Sequence, residues 1–408
     1  MGQGFFWFRR ECLVFTASLM LAAVCLGFYV NHLWGEWVPI IKKHSLLAPR
    51  LSAPIAKDFV AHWTASHLTL AGEQATVYNA PRFKEIEEDL TGLGGHLWLY
   101  PPTALLIDWP LALLPYIPSL ATWLVVTMGL YLLVLYRIAP HPLTLFWGLA
   151  FFGTFQNIFF GQNGFLSAAL LGGGLLLLDG SPFLGGVLLG LLSYKPHLAA
   201  LVPLALLAGR RWRALLGSVV AAIFLALASL AVLGLDTWEL FMKAIPHTMD
   251  NLQAQSATFL TMPTIFAAVR LADFGFPVAW GLHGVGMLVA VALVVWLWSV
   301  KTSAAVRGAA LAIGILLFSP HIWFYDLPIL AIALAWLGWE GHTTGWLPLE
   351  QLLLLLSWLM PFVGFLLVVS LRLPNGSFYL IPPFILIIRR HRWEKQQFAA
   401  GQVVLPSS

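Results

Sequence analysis

Charge is what this sequence has least of. Only 10% of its 408 residues are Asp, Glu, Lys or Arg, where a soluble globular chain carries about a quarter. A chain so poor in charge cannot cover a water-facing surface of its own size, which excludes an ordinary soluble protein. Cysteine is scarce too. Cys12 and Cys25 both lie in or beside the first apolar run; they read as packing residues and carry no information on redox compartment. GxxxxGK[ST] and HExxH are missing, as is any Cys/His spacing of the zinc kind. Nothing resembles a soluble nucleotide-sugar domain, a low-complexity tract or an inverted repeat of the transporter kind. The net charge of +4 comes mostly from arginines flanking apolar runs, and does not suggest nucleic acid.

What the chain has is hydrophobic residues, 60% of the total, with a mean hydropathy of +0.83. They come in runs. Leu13–Tyr29, Ala214–Leu235, Val278–Val300 and Leu347–Leu371 are each long enough to cross a hydrocarbon core of about 30 Å. The runs are continuous, not alternating, so they predict helices and not the strands of a barrel. The expected fold is all-α: one polytopic membrane domain over residues 1–408 with about twelve transmembrane helices. The spans fall near 11–33, 98–118, 119–137, 143–160, 164–179, 183–208, 214–235, 277–300, 307–323, 327–340, 347–371 and 377–389. The first run is longer than a usual signal-peptide core and reads as a retained anchor.

The positive-inside rule orients the ends. Arg9 and Arg10 put the amino terminus in the cytoplasm, and Arg389, Arg390, Arg392 and Lys395 put the carboxyl terminus there. Arg210, Arg211 and Arg213 mark a cytoplasmic turn, as do Lys301 and Arg307. Arg137 disagrees, because this layout places it outside. Residues 34–97 and 236–276 become large outer loops, and 393–408 a cytoplasmic tail. Several of the 19 Trp flank the spans, as interfacial anchors do.

Charged and polar residues near a membrane each need a reason. Asp58, in Lys57-Asp58-Phe59-Val60-Ala61-His62-Trp63, opens an amphipathic stretch, so it fits either an N-cap or a catalytic carboxylate. Lys195, in Ser193-Tyr194-Lys195-Pro196-His197, interrupts an apolar span near its middle, where snorkelling works poorly. It calls for an anion or a carboxylate. Gly161-Gln162-Asn163-Gly164 reads as a tight turn. Gln255-Ser256 and Arg270 fall in the second outer loop. Ser319-Pro320-His321 with Tyr325-Asp326 sits at a junction of two spans, either as a polar turn or as part of a site.

In this order, these pieces resemble glycosyltransferase family 87. The resemblance runs through Lys57-Asp58-Phe59, Val77-Tyr78-Asn79, Tyr100-Pro101-Pro102, Phe160-Gly161-Gln162-Asn163, Gly190 to His197 and Gly209 to Ala214. It continues with Gln255-Ser256, Ser319-Pro320 and Tyr325-Asp326-Leu327. The chain departs from the family pattern at His321, where many members carry a Trp and paired histidines after Ser-Pro. The resemblance implies a GT-C bundle that takes a mannose-type sugar from a polyprenyl phosphate at the outer membrane face. Asp58 matches the family's catalytic base. A carboxylate there would take the proton of an attacking acceptor hydroxyl. Cations would steady the leaving phosphate, and Lys195, Arg270 and His321 are the candidates. His62, Tyr100, Gln162, Asn163, Gln255, Ser256, Tyr325 and Asp326 are the candidate substrate contacts. The implied partners are a polyprenyl-phosphate sugar, a glycan or glycolipid acceptor, and membrane lipids, with no metal or cofactor. The competing expectations are a transporter or flippase, with which a mid-span lysine and broken helices are compatible, and a scaffold subunit, which would not need Asp58.

Overall fold

The computed structural model describes residues 2–43, 55–254, 256–374 and 376–400, with side chains described outside 2–14 and 247–257. Among these residues there are helices and short 3-10 turns but no strand. That follows from the apolar runs, since a backbone in hydrocarbon must satisfy its own polar groups. In chain order the helices are α1 (Gly2–Lys43), α2 (Phe59–Leu70), α3 (Ala80–Thr91), α4 (Pro102–Asp108), α5 (Tyr116–Ile138), α6 (Pro142–Leu149) and α7 (Phe152–Phe160). They continue with α8 (Gly164–Leu177), α9 (Pro182–Leu191), α10 (Pro196–Ala199), α11 (Val202–Ala208), α12 (Trp212–Leu233) and α13 (Leu235–Ala254). The last are α14 (Ile265–Leu271), α15 (Phe276–Ser299), α16 (Ala304–Phe318), α17 (Pro328–Thr344), α18 (Glu350–Leu371) and α19 (Ile381–Ala399).

Five of these helices are long and apolar enough to cross a membrane: α1 from Phe15 on, α5, α12, α15 and α18. The α6–α7 pair, bent by 57°, adds a sixth if counted as one span. Helix starts follow local chemistry. Proline stands in the first turn of α4, α6, α9, α15 and α17, where its missing N–H is not needed. Asn79, Thr264 and Ser303 cap α3, α14 and α16 by accepting a backbone N–H.

Basic residues gather at one end of the bundle. Arg211 pairs with Asp179 at 2.8 Å, and Arg307 stands 3.9 Å from the same carboxylate. Arg390 is buried against Glu350. Glu394 accepts from Thr302 and from the backbone N–H of Ser303. α5 starts at the other end, where the Tyr116 hydroxyl donates to the Ile55 carbonyl at 2.7 Å. It finishes with Arg137 at the basic end, where His141 faces His342.

That placement corrects the expected layout, which put Arg137 on the outer side. The physical reason lies in the 98–118 run. Ahead of α5 it holds only the seven-residue α4 and a 3-10 turn, Leu111–Leu113, packed against α2. The 183–208 run is also not a single span. α9 climbs from the basic end to Lys195. Pro196 then opens a return through α10 and α11 to Gly209, beside Trp298, and to Arg211. Residues 34–43, expected in the first loop, continue α1. The expected tail begins as helix, since α19 runs to Ala399 and buries Glu394.

Glycine sets the position of the Lys195 hairpin. A Cβ at Gly186 would lie 1.9 Å from the Ala214 carbonyl oxygen, and one at Gly190 2.2 Å from that of Ser218. Two small residues four apart thus let α9 and α12 touch backbone to backbone. The matching steps make the two helices parallel and carry Lys195 to near the level of Ile223. α12 continues to Leu233, about 15 Å further at about 1.5 Å per residue. An outer layer covers that upper part: Ala65, Leu68, Phe83, Trp98 and Leu105 form one apolar cluster with Leu225 and Leu233. The level of Lys195 is therefore recessed beneath a helical cap.

Candidate active site

Four turns meet under the cap. They are the Lys57-Asp58 turn ahead of α2, the Gly161–Asn163 turn between α7 and α8, the Lys195 break between α9 and α10, and the 3-10 turn Phe324–Asp326 after α16. The apolar helices carry these polar turns to one depth, and each turn takes its partners from the others.

Asp58 stands at the N-cap position of α2 without capping it. Its backbone is already helical, at φ −72° and ψ −23°, and its side chain makes no capping hydrogen bond to α2. The Asp58 Oδ2 atom instead accepts from Gln162 Nε2 at 3.1 Å. Gln162 Oε1 accepts from the Tyr100 hydroxyl at 3.2 Å and from the Asn163 N–H at 3.3 Å. Gly161 makes this approach possible. It sits at φ +70°, and a Cβ there would lie 2.7 Å from the Phe59 Cβ and 2.9 Å from the Ala56 Cβ.

Burial pushes the Asp58 carboxyl above the usual carboxylate range. The Gln162 hydrogen bond and the nearby His96 and His62 oppose that rise, and Glu87 adds to it. His96 is itself held by a buried carboxylate. Glu87 is fully buried and accepts the N–H groups of Gly95 and His96 and the ring Nδ1 of His96, each at 3.1 Å. Burial pulls His96 down, but the hydrogen bond and charge of Glu87, with Asp58 behind it, leave it raised.

Lys195 is 4% exposed. Its Nζ lies 2.5 Å from Asp326 Oδ1 and donates to Asn163 Oδ1 at 3.0 Å. It also stands over two aromatic faces, Tyr325 at 5.4 Å and Tyr100 at 5.8 Å, a favourable place for a cation. The other oxygen of Asp326 accepts the Trp323 N–H at 3.1 Å and so closes its own turn. Asn157 donates to the Tyr325 carbonyl at 2.9 Å. Gly164 packs against that same carbonyl, which leaves no room there for a Cβ.

The structure thus brings together Asp58, His62, Tyr100, Gln162, Asn163, Lys195, Tyr325 and Asp326. It does not bring two of the expected cations there. The Arg270 guanidinium stacks on Phe276, 3.9 Å from the ring centroid, and donates to the Phe274 carbonyl. The reason is local: α14 ends beside an aromatic cluster that takes up the arginine. His321 lies next to the site but is not a cation. Burial, with His283 nearby, pushes it down to about 4, so it is neutral at physiological pH. Gln255 lies outside the described residues. Ser256 begins a 3-10 turn, Ser256–Thr261, and its side chain also lies outside them.

Sequence reasoning missed Asp108, His96 and Glu87. Asp108 is 3% exposed, and its Oδ2 lies 2.9 Å from the Nδ1 atom of His62. It was hidden in a run read as a span. A carboxylate inside an apolar run is itself a signal that asks for a partner. His96 and Glu87 left only a glycine-rich stretch, Gly92 to Gly95, as their trace.

Fold and site together define a helical membrane protein whose helical cap and bundle bring together a carboxylate, a lysine and their polar partners. The family model of glycosyltransferase family 87 matches residues 98–320, more than half of the chain. The chain belongs to this family and is a glycosyltransferase. No curated protein and no solved structure matches it. The matched range holds Tyr100, Asp108, Gln162, Asn163 and Lys195; Asp58 and Asp326 lie outside it and join these residues through space. Family membership sets aside the readings as a transporter and as a scaffold.

Proposed function

We propose that the protein is an inverting hexosyltransferase with Asp58 as its base. The donor is a polyprenyl phosphosugar, the sugar is mannose, and the acceptor is a lipid-linked or envelope glycan. The basic end faces the cytoplasm by the positive-inside rule, so the capped end with Asp58 faces outward in a cell membrane. The observation that carries this reading is the Asp58 carboxylate. It does no capping work, it is half-buried where the cap meets the bundle, and an amide donor orients it.

The chemistry balances with the groups present. An acceptor hydroxyl oxygen attacks the anomeric carbon, and the new C–O bond forms as the sugar–phosphate C–O bond breaks. Asp58 takes the hydroxyl proton. The electron pair leaves on the polyprenyl phosphate, which is stable as an anion. One displacement with one base inverts the anomeric centre and needs no second carboxylate as nucleophile (by analogy with inverting hydrolases). Lys195, held over Tyr100 and Tyr325, supplies positive charge where the leaving group develops its own. The apolar outer face of α12, with Ile223, Phe224 and Leu227 exposed, suits a bilayer in which the prenyl chain lies.

The test is turnover of a labelled polyprenyl phosphomannose by the purified protein in lipid nanodiscs. Asp58→Asn is expected to lower the rate by about 10³-fold with donor affinity retained. Near-normal turnover by that variant would remove Asp58 from the chemistry. Transfer from other polyprenyl phosphosugars but not from the mannosyl donor would replace the sugar and keep the mechanism.

A further inference from the structure

His62 is not free to hold substrate. It is 1% exposed, and both of its ring nitrogens face protein acceptors: Asp108 Oδ2 at 2.9 Å from Nδ1, and Gln162 Oε1 at 3.4 Å from Nε2. The orientation of the Gln162 amide follows from its other partners. Its oxygen receives the Tyr100 hydroxyl and the Asn163 N–H, and its nitrogen donates to Asp58. A flipped amide would set an oxygen against the carboxylate and a nitrogen against two donors. An imidazole with hydrogen on Nδ1 alone would likewise press a lone pair against Oε1. The arrangement requires a hydrogen on Nε2 toward Oε1, with a second hydrogen held between Nδ1 and Asp108 Oδ2. The chain of contacts then runs Asp108, His62, Gln162, Asp58, with the His62 Nε2–H and the Gln162 amide N–H both directed toward Asp58.

We infer that Asp108 and His62 are positioning residues. Acting through Gln162, they fix its amide toward Asp58 and hold Asp58 as the ionised base. The inference rests on the reading of Asp58 as the base. The carbonyl of Gln162 accepts several donors at once, which polarises the amide and strengthens its N–H toward the carboxylate. The buried Asp108–His62 pair stays fixed because neither member reaches water. Its effect on Asp58 is exerted among the other charged and titratable groups near that carboxylate: His96 and Glu87 from the α3 side, Tyr116 of α5, and Tyr325, whose turn also holds the Lys195–Asp326 pair.

The experiment measures the pH dependence of turnover and the donor KM for the full-length protein in nanodiscs, using labelled polyprenyl phosphomannose. Asp108→Asn is expected to lower kcat about 10-fold and to move the acid limb of the profile upward, because Asp58 then takes a proton at higher pH. The donor KM should hold, and Asp108→Glu should restore most of the rate. His62→Gln serves as a second variant if Asp108→Asn is poorly folded. A rate loss with an unmoved acid limb, or a rise in donor KM at unchanged kcat, overturns the inference. The second result would make His62 a substrate contact. Retained activity in Asp58→Asn rejects the base itself, whatever the Asp108 variants do, so the two failures are distinguishable.

Discussion

Two buried ion pairs sit at opposite ends of this bundle, and they are built differently. At the basic end Arg390 grips Glu350 with two nitrogens and directs two further donors to the Thr344 hydroxyl and the Gly345 carbonyl. Glu350 also accepts the Leu347 N–H, which ties the start of α18. Every partner is local to the ends of α17, α18 and α19, and both side chains are fully buried. At the capped end Lys195 meets Asp326 through one nitrogen, and its other neighbours are an amide and a tyrosine face from two further segments and the face of Tyr325 from the Asp326 turn itself. The first pair is a saturated joint between helices. The second gathers distant pieces around a compact cation with little else to hold it. A guanidinium suits the joint because its fixed fork matches a carboxylate. An ammonium is a compact point charge with rotatable donors, less committed to one partner geometry.

Neutralising both members of each pair separates these roles most widely. The double variant Lys195→Met, Asp326→Asn is expected to lose about 100-fold or more in transfer while its melting temperature stays near the parent value. The matching variant Arg390→Met, Glu350→Gln should keep transfer near the parent rate. An inactive protein from the second variant, stably folded, would break the distinction. Breaking the joint on one side is the next largest effect. Arg390→Met alone strands the Glu350 charge and should cost about 3–5 kcal/mol of stability, read as a fall in thermal unfolding in detergent.

A third carboxylate sharpens the contrast, because Asp58 has an amide for its partner and, among the described residues, no ion pair. Its folded-state pKa is raised by burial. The protonated form therefore contributes stability that is present below the unfolded value of about 4 and lost as pH rises through the folded value. Asp58→Asn should then be slightly more stable than the parent at pH 7, and the difference should vanish near pH 4. This is the smallest effect of the set. Equal stability at both pH values would mean that the carboxylate is well solvated in the folded protein.

The helical character of the chain was legible because burial in lipid leaves a one-dimensional record, a run of apolar residues. The depth of each run was not. The 98–118 and 183–208 segments have the composition of spans, yet Pro110 and Pro196 turn the chain within them, and composition does not record direction. Arg137 was the one residue that registered the error. Within the site, Asp58, Gln162, Asn163 and Lys195 stood out because each is polar beside apolar sequence. His321 and Arg270 stood out for the same reason and mislead. Whether a histidine stays neutral or an arginine is taken by Phe276 depends on neighbours that only folding supplies. Asp108 shows the converse. Its partner His62 is far off in sequence, so nothing local marks the pair.

The contact at Gly161 has a consequence for how finely the enzyme must be assembled. The layer bearing Asp58 and the bundle bearing Gln162 fold from separate stretches, and they close to hydrogen-bond distance over a single position without a side chain. One methyl group there would act as a shim. It would lift the outer layer by more than a 3.1 Å hydrogen bond tolerates, while leaving each layer intact. Position 161 thus behaves as a spacing gauge, and the closeness of carboxylate and amide is a machining tolerance set by a missing carbon atom.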